Sequence, residues 1–310
     1  MDLRNILSEI GKTDPEVYER LSSRRNALKS FGSKVAVAAL PLAVASVFNK
    51  AYGKTTSVII DALNFALKME YFECNFYIQA NSITSLGLIP AADQPGFNAI
   101  EAHERAHVKF LISTITALGG TPFTPNYYAD HTSAPPYIPL AYDYRASSNT
   151  VYAPLFNNVF SDYHTFLIAA QTFEDSHIRA VNGQMATWAG NAVFSQMQQL
   201  LATEGRHAAF IRLIRRNLGA IAAPEVPAPW INNNIPPSFP AGSSVTSGNI
   251  VLQPFYNGEE NTMQSGVDIS MLADTASTSG YVPVLSASAA FDEPLSQTTY
   301  NNLITPFILP

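Results

Sequence analysis

The chain has 310 residues, of which 47% are hydrophobic and 14% are charged, and it contains one cysteine. The apolar content is too high for a disordered chain, and a single cysteine excludes a framework of internal disulfides. The formal net charge of −6 argues against nucleic acid as a partner, because such binding requires a clustered basic surface. The length suffices for one large domain or two modest ones with a hydrophobic core.

The first 53 residues have the features of a targeting segment. Residues 23–29 resemble a twin-arginine export signal, with Ala27 where that signal usually has phenylalanine. Residues 35–48 form an uncharged apolar run, shorter than the roughly 20 residues that span a bilayer and suited to the core of a signal peptide. We therefore expect an exported protein of the periplasm or cell envelope. The alternative is an uncleaved apolar helix that anchors the chain in the membrane or packs on the protein.

Apolar residues recur at steps of three and four in four segments, which predicts four helices. Pro154 suits the first turn of the third helix, and a glycine follows the first, the second and the fourth. The segments cover about residues 56–86, 97–118, 154–185 and 192–218.

The connections between these helices are short, long and short. The long one, residues 121–153, is rich in proline and tyrosine and has no sustained period. In a four-helix bundle a long connection crosses the bundle and leaves two helices parallel, and one such crossover in the middle is the topology of ferritin-like bundles. The sequence therefore predicts an all-α, ferritin-like four-helix bundle over residues 54–219, with a long crossover between helices 2 and 3.

Residues 220–310 differ from the rest of the chain. They contain no lysine or arginine and are dominated by Pro, Asn, Ser, Thr and Gly. Segments 249–252 and 281–285 could be strands, and Ser296 could cap a short helix that ends at Ile304. We interpret this region as an irregular, partly β extension that packs on the bundle, and not as a second catalytic domain.

The motif Glu-x-x-His occurs three times, once in each of the last three predicted helices. Residues three apart on a helix share a face, with Cβ atoms about 5–6 Å apart, so that both side chains can reach one ion. With six histidines in the chain, chance places about a quarter of one such motif in a sequence of this composition. The three pairs are Glu104 and His107, Glu174 and His177, and Glu204 and His207.

These pairs, together with Glu70 in the first helix, point to a metal centre. Carboxylate plus imidazole is the ligand mixture of Fe, Mn and Zn rather than of Ca or Mg. The neighbours of Glu104 and Glu204 at helical spacing are mainly Ile, Leu, Met and Phe, which argues against a solvated charged face. Since a buried carboxylate without a partner is costly, the alternative to metal binding is a metal-free buried polar network.

The arrangement resembles the ferritin-like superfamily of carboxylate-bridged dimetal proteins, in which two helices each contribute a Glu and two contribute Glu-x-x-His. In more detail, the chain is similar to secreted bacterial ferritin-like proteins related to desiccation-related proteins. Residues 63–73, 118–122 and 290–295 carry that likeness. The resemblance implies two Fe or Mn ions, with Zn as a further option, and six ligands. They are Glu70, Glu104, His107, Glu174, Glu204 and His207.

Three further residues lie close to these predicted ligands. His177 adds an imidazole where the superfamily pattern has only a carboxylate. It is a seventh ligand, a partner that orients a carboxylate, or a core histidine, and we favour the orienting role. Glu73 and Glu101 each lie three residues from a predicted ligand and could replace or bridge one. His103 should point about 100° away from Glu104, into solvent.

A carboxylate-bridged pair of metals can exchange two electrons with an oxygen species. The leading hypothesis is therefore redox chemistry with O2 or peroxide, of the ferroxidase or catalase kind, with metal ions as the partners and no nucleic acid. The alternative is an exported stress-related or desiccation-related protein in which the metal only fastens the bundle. A hydrolase with a metal-activated water is a weaker alternative, and the sequence does not address the oligomeric state.

Overall fold

The structure is a computed structural model, and it describes most of the chain from residue 55 onward. The predicted targeting segment, Pro154, His131 and most of the long connection lie outside the described residues. The described residues are 55–82, 87–125, 142–146, 155–219, 221–225, 228–239 and 248–309, with the backbone alone at 248–251.

Four long helices confirm the predicted all-α bundle. They are α1 (Thr56–Ser82), α2 (Gln94–Ala117), α3 (Tyr163–Asn182) and α5 (Phe194–Asn217), and a short helix, α4 (Met185–Trp188), lies between α3 and α5. α1 packs chiefly against α2, and α3 packs chiefly against α5. Within the described ranges, none of the helices is both long and apolar enough to cross a membrane.

The third long helix starts later than predicted. α3 begins at Tyr163 and not near Pro154, because the side chain of Asp162 accepts a hydrogen bond from the backbone N–H of Thr165 at 2.8 Å and caps the helix there. Apolar residues at 155–159 lengthened the predicted helix, and in the structure they belong to turns that pack into the core. The predicted start of the third helix was wrong because these buried residues extend the hydrophobic pattern although their backbone is not helical.

The remaining helix bounds differ by a few residues. α2 begins at Gln94, three residues before the predicted start, because Pro95 suits a first helical turn. The third helix stops at Asn182 and α4 follows as a separate turn, where the pattern predicted one helix to residue 185. Boundaries are the part of a helix that periodicity defines least.

The core contains a dense aromatic cluster. Phe72 and Phe76 of α1 pack edge-to-face on Phe173 of α3, with ring centroids 4.8 and 5.2 Å apart. Tyr144, from the connection between α2 and α3, packs 5.1 Å from both α1 rings and donates a hydrogen bond to the backbone carbonyl of Phe72. The long connection therefore supplies part of the core that encloses the bundle interior.

The extension is mainly helical turns and loops, and the two segments predicted as strands are not strands. Its elements are α6 (Gly248–Tyr256), a hairpin of β1 (Met263–Gln264) and β2 (Val267–Asp268), α7 (Val284–Ser288) and α8 (Gln297–Ile304). Segment 249–252 lies in α6, whose buried Leu252, Phe255 and Tyr256 have helical spacing. Ser296 does cap α8, accepting a hydrogen bond from the backbone N–H of Thr299.

Buried arginines of the bundle hold this extension in place. Arg179 of α3 forms a 2.6 Å ion pair with Glu259 and donates to the backbone carbonyls of Asn257 and Glu293 at 2.7 and 2.8 Å. Because residues 220–310 contain no cation of their own, the bundle supplies the positive charge that their buried carboxylates require. Arg215 of α5 plays the same part toward Glu225.

Candidate metal centre

The six predicted ligands meet in the interior of the bundle. Each of the four long helices presents one carboxylate there, and the i, i+3 spacing places an imidazole beside it on α2 and α5. The four carboxylates are fully buried, His207 is 3% exposed and the His107 side chain is 15% exposed. The residues are Glu70 of α1, Glu104 and His107 of α2, Glu174 of α3, and Glu204 and His207 of α5.

One half of the site surrounds the ring of His107. Its Nδ1 lies 3.2 Å from Oε2 of Glu70, 2.9 Å from Oε1 of Glu204 and 3.9 Å from Oε2 of Glu104. A neutral imidazole has at most one proton at this nitrogen, so it can satisfy only one of three carboxylates. Three carboxylates close to one nitrogen are therefore better explained by a cation bound among them than by a hydrogen-bond network.

The other half repeats this geometry around His207. Its Nδ1 lies 3.0 Å from Oε1 of Glu104, 3.0 Å from Oε2 of Glu204 and 3.6 Å from Oε2 of Glu174. The remaining oxygen of Glu174 accepts a hydrogen bond from the hydroxyl of Tyr77, which fixes the orientation of that carboxylate.

Glu104 and Glu204 belong to both halves. Each turns one oxygen toward His107 and the other toward His207. Two groups of ligand atoms result, and within each group all atoms lie within 4.8 Å of one another. Two shared carboxylates with one terminal carboxylate and one imidazole on each side make the donor set of a bridged pair of metal ions. The groups are Glu70, Glu104, His107 and Glu204, and Glu104, Glu174, Glu204 and His207.

Unsatisfied polar atoms show that these residues fit metal ions. Both oxygens of Glu70 and of Glu104 are buried without a hydrogen-bond partner, as are Oε1 of Glu204 and Oε2 of Glu174. Buried carboxylate oxygens nearly always have a partner, and leaving one unpaired costs about 1–3 kcal/mol or more for a charged group. Cations bound among these oxygens would satisfy them.

Burial and mutual repulsion disfavour negative charge on several of the acids. Burial raises the pKa of Glu70 and Glu73 well above the ordinary value, and the charges of Glu104 and Glu204 raise it further. Burial likewise raises the pKa of Glu174, although His207 opposes the effect. In the metal-free protein some of these carboxylates are therefore protonated, and a divalent cation would displace the protons.

The imidazoles stabilise the negative charge of Glu204. Burial alone would raise the pKa of Glu204, but the close approach of His107 to one oxygen and of His207 to the other outweighs burial and lowers it. In return, the surrounding carboxylates raise the pKa of both histidines against the opposing effect of burial. In the metal-free site the two histidines therefore supply part of the positive charge that the buried carboxylates require.

Of the additional residues predicted near the site, two lie in it and one does not. Glu73 and His177 are fully buried and form a third group of candidate ligands with Glu204. Glu101 instead pairs with Arg105 at 2.6 Å and accepts a hydrogen bond from Asn81, and it belongs to none of the three groups. Glu101 is partly exposed, whereas Glu104, one turn later, is buried.

His103 has a contact that the helical pattern missed. It is exposed, as predicted, yet its Nδ1 lies 3.0 Å from Nε2 of His207 and the two rings stack with an interplanar angle of 8°. Its close partner comes from α5, so that no pattern within α2 could indicate it. His164, by contrast, is half-buried and lies in none of the candidate ligand groups.

The fold and the site together define a class: four-helix proteins with a buried carboxylate and histidine centre. A family model described as a ferritin-like domain matches residues 59–217, just over half of the chain. The chain therefore belongs to the ferritin-like family, and the match spans all six predicted ligands. No protein with curated annotation matches the sequence.

Proposed function

We propose that this ferritin-like protein binds two Fe or Mn ions and carries out redox chemistry with O2 or peroxide. The observation that carries the proposal is the pair of carboxylates, Glu104 and Glu204, that face both imidazoles at once. Glu70 and His107 would complete one metal position, and Glu174 and His207 the other. Fe and Mn both accept this mixture of oxygen and nitrogen ligands, and Zn accepts it as well.

The residues around the site suit such chemistry. Bound there, a pair of Fe or Mn ions would supply two-electron exchange with an oxygen species. The helices hold the carboxylates in place, and Tyr77 orients Glu174 through its hydroxyl. Phe72 and Phe173 belong to the buried hydrophobic core, and the His107 side chain stays 15% exposed.

Export is a further part of the proposal. The twin-arginine-like stretch at 23–29 and the apolar run at 35–48 support it, as does the likeness to secreted ferritin-like and desiccation-related proteins. Twin-arginine export carries folded proteins, which would allow metal to be loaded before export. Expression with a tagged C-terminus, followed by fractionation, tests this: protein found only in the cytoplasm of the native host would contradict it.

The metal centre itself is tested by elemental analysis of protein purified from its native source. We expect about two Fe or Mn ions per chain, and Glu104→Ala or Glu204→Ala should remove most of them because each shared carboxylate serves both positions. Asp61→Asn is the matched control, since Asp61 is an exposed acid on α1, outside the cluster. Equal metal content in all four proteins would overturn the ligand assignment.

Redox activity needs its own test. The metal-loaded protein should consume peroxide, or oxidise Fe²⁺ in the presence of O2, and Glu204→Ala should abolish either reaction. A fully loaded protein that leaves both oxidants untouched would refute the redox proposal while leaving metal binding intact.

Complete burial of the four carboxylates favours one alternative, in which the metal serves stability alone. In an exported desiccation-related protein, metal ions would neutralise the buried charge and fasten the helices. A large drop in melting temperature on chelation, without turnover of either oxidant, would favour this function. A small drop with measurable turnover would favour the enzyme.

A further inference from the structure

His177 is the buried imidazole that the six-ligand set does not use. Its ring is fully enclosed, and Nε2 has no hydrogen-bond partner. That nitrogen lies 3.5 Å from Oε1 of Glu70, whose other oxygen faces His107. We propose that His177 is a seventh ligand of the metal centre, bound through Nε2, and that Glu73 positions it. This inference rests on the proposed dimetal site.

The distances support ligation by Nε2. Two atoms that each lie about 2.1 Å from one cation, at an angle of about 90–110°, are roughly 3.0–3.4 Å apart. The two assigned ligands His107 and Glu70 are separated by 3.2 Å, and His177 and Glu70 by 3.5 Å. Glu70 therefore turns one oxygen to each ring, and neither oxygen has a hydrogen-bond partner of its own.

Glu73 accounts for the other nitrogen of the ring. Nδ1 of His177 is in hydrogen-bond contact with Oε2 of Glu73, one helical turn beyond Glu70. A metal-bound histidine typically donates its second N–H to a carboxylate, which sets the tautomer and leaves the opposite nitrogen free to bind. With the proton on Nδ1, the lone pair of Nε2 points into the metal centre.

A seventh ligand makes the two metal positions unequal. The position at Glu70 would have five protein ligands, and the position at Glu174 would have four, because no second imidazole faces Glu174 among the described residues. For a metal that prefers six ligands, the Glu174 position then retains more places for a small molecule. His177 shares its group of candidate ligand atoms with Glu73 and Glu204 and not with His107, so the competing arrangement is a third cation between Glu73, His177 and Glu204.

Binding of Co²⁺ to the full-length protein, after removal of metal by a chelator, tests the proposal. The wild type should bind two ions. Glu73→Gln keeps the size of the side chain but weakens the acceptor, and should lower the affinity of one ion by about 10-fold; His177→Gln should lower it further, up to about 100-fold. The second ion should bind as in the wild type, and the visible Co²⁺ spectrum should change only for the weakened ion.

His164→Gln is the control, because His164 lies in none of the ligand groups. The proposal would be refuted if both variants bound two ions with unchanged affinity and spectrum. The third-cation arrangement would be established instead if the wild type bound three ions and His177→Gln bound two. If a variant does not fold, X-ray absorption on the metal-loaded wild type counts the imidazole ligands. Three imidazoles per pair of metal ions would support the proposal, and two would refute it. Failure of the wild type to bind any metal would refute the proposed function itself.

Discussion

The ring of His103 lies on the surface of α2 and contacts the candidate metal centre through one hydrogen bond. Its Nδ1 is 3.0 Å from Nε2 of His207, whose own Nδ1 faces the carboxylates. If His207 is neutral and binds metal through Nδ1, its proton is on Nε2 and His103 accepts it. Burial and the neighbouring His207 lower the pKa of His103, which favours the neutral, accepting form. His103 thus orients His207 from outside.

Substitution of His103 should weaken metal binding without removing a ligand. We expect His103→Phe, which keeps the stacked ring but has no acceptor, to lower the affinity of the ion at His207 by about 10-fold. His103→Asn places an amide oxygen near the position of Nδ1 and should restore most of the affinity. Metal titration of the three proteins measures this. If the His103→Phe and His103→Asn variants bind metal equally well, the contact of His103 with His207 has no orienting role.

At the scale of single residues, the sequence predicted the gathering of the six acids and imidazoles well, because helical spacing determines which side chains face inward. It could not predict the contact of His103, because that contact depends on the position of α5 relative to α2. The pairing of Glu101 with Arg105 was equally hidden, since an acid three residues before Glu104 fits either a ligand or an i, i+4 ion pair. The role of the six acids and imidazoles as metal ligands stays a prediction.

At the scale of elements, the extension packs closely against the end of α3. A Cβ atom built on Gly183 would lie 2.1 Å from the backbone oxygen of Leu295, although the φ of −60° would suit any residue. The same approach allows the N–H of Leu295 to donate to the carbonyl of Arg179 at 2.9 Å. Glycine is thus required here by space and not by backbone conformation.

Gly183→Ala should therefore lower the free energy of unfolding, by about 1–3 kcal/mol, because a backbone atom cannot move aside as a side chain can. Gly205→Ala is the control: it lies within α5, nothing lies within 4 Å of its added Cβ, and the change should raise stability by up to about 1 kcal/mol. Urea unfolding measures both. A neutral Gly183→Ala would show that the extension does not pack tightly at this point.

The sequence predicted the long helices better than the short elements. The four long helices followed from periodicity over many residues, whereas α6 was mistaken for a strand because Pro254 and the short apolar run at 249–252 do not distinguish the two. The early start predicted for α3 has the same origin, since buried residues at 155–159 lengthen the pattern without being helical. Short apolar segments take their conformation from the surface on which they pack, which sequence alone does not contain.

At the scale of the whole molecule, the crowded carboxylates set how stability depends on pH. The pKa of Glu70, Glu73 and Glu174 is raised well above the ordinary 4.5, so these groups take up protons on folding. Their contribution to stability is complete below about pH 4.5 and is lost as pH rises through the raised values. The raised pKa of the site histidines acts in the same direction above about pH 6.5. Glu204, with its lowered pKa, acts in the opposite direction.

We therefore expect the melting temperature of the metal-free protein to fall as pH rises above about 5, because Glu70, Glu73 and Glu174 titrate there while Glu204 affects stability only below about pH 4.5. Bound cations would neutralise the same carboxylates, so the metal-loaded protein should depend on pH much less. Thermal unfolding across this range, with and without metal, measures the difference. Glu70→Gln replaces one buried acid with a neutral group of the same shape, and its metal-free form should lose less stability with pH than the wild type. Parallel pH profiles for the metal-free and metal-loaded wild type would mean that the buried acids are not where the cations bind.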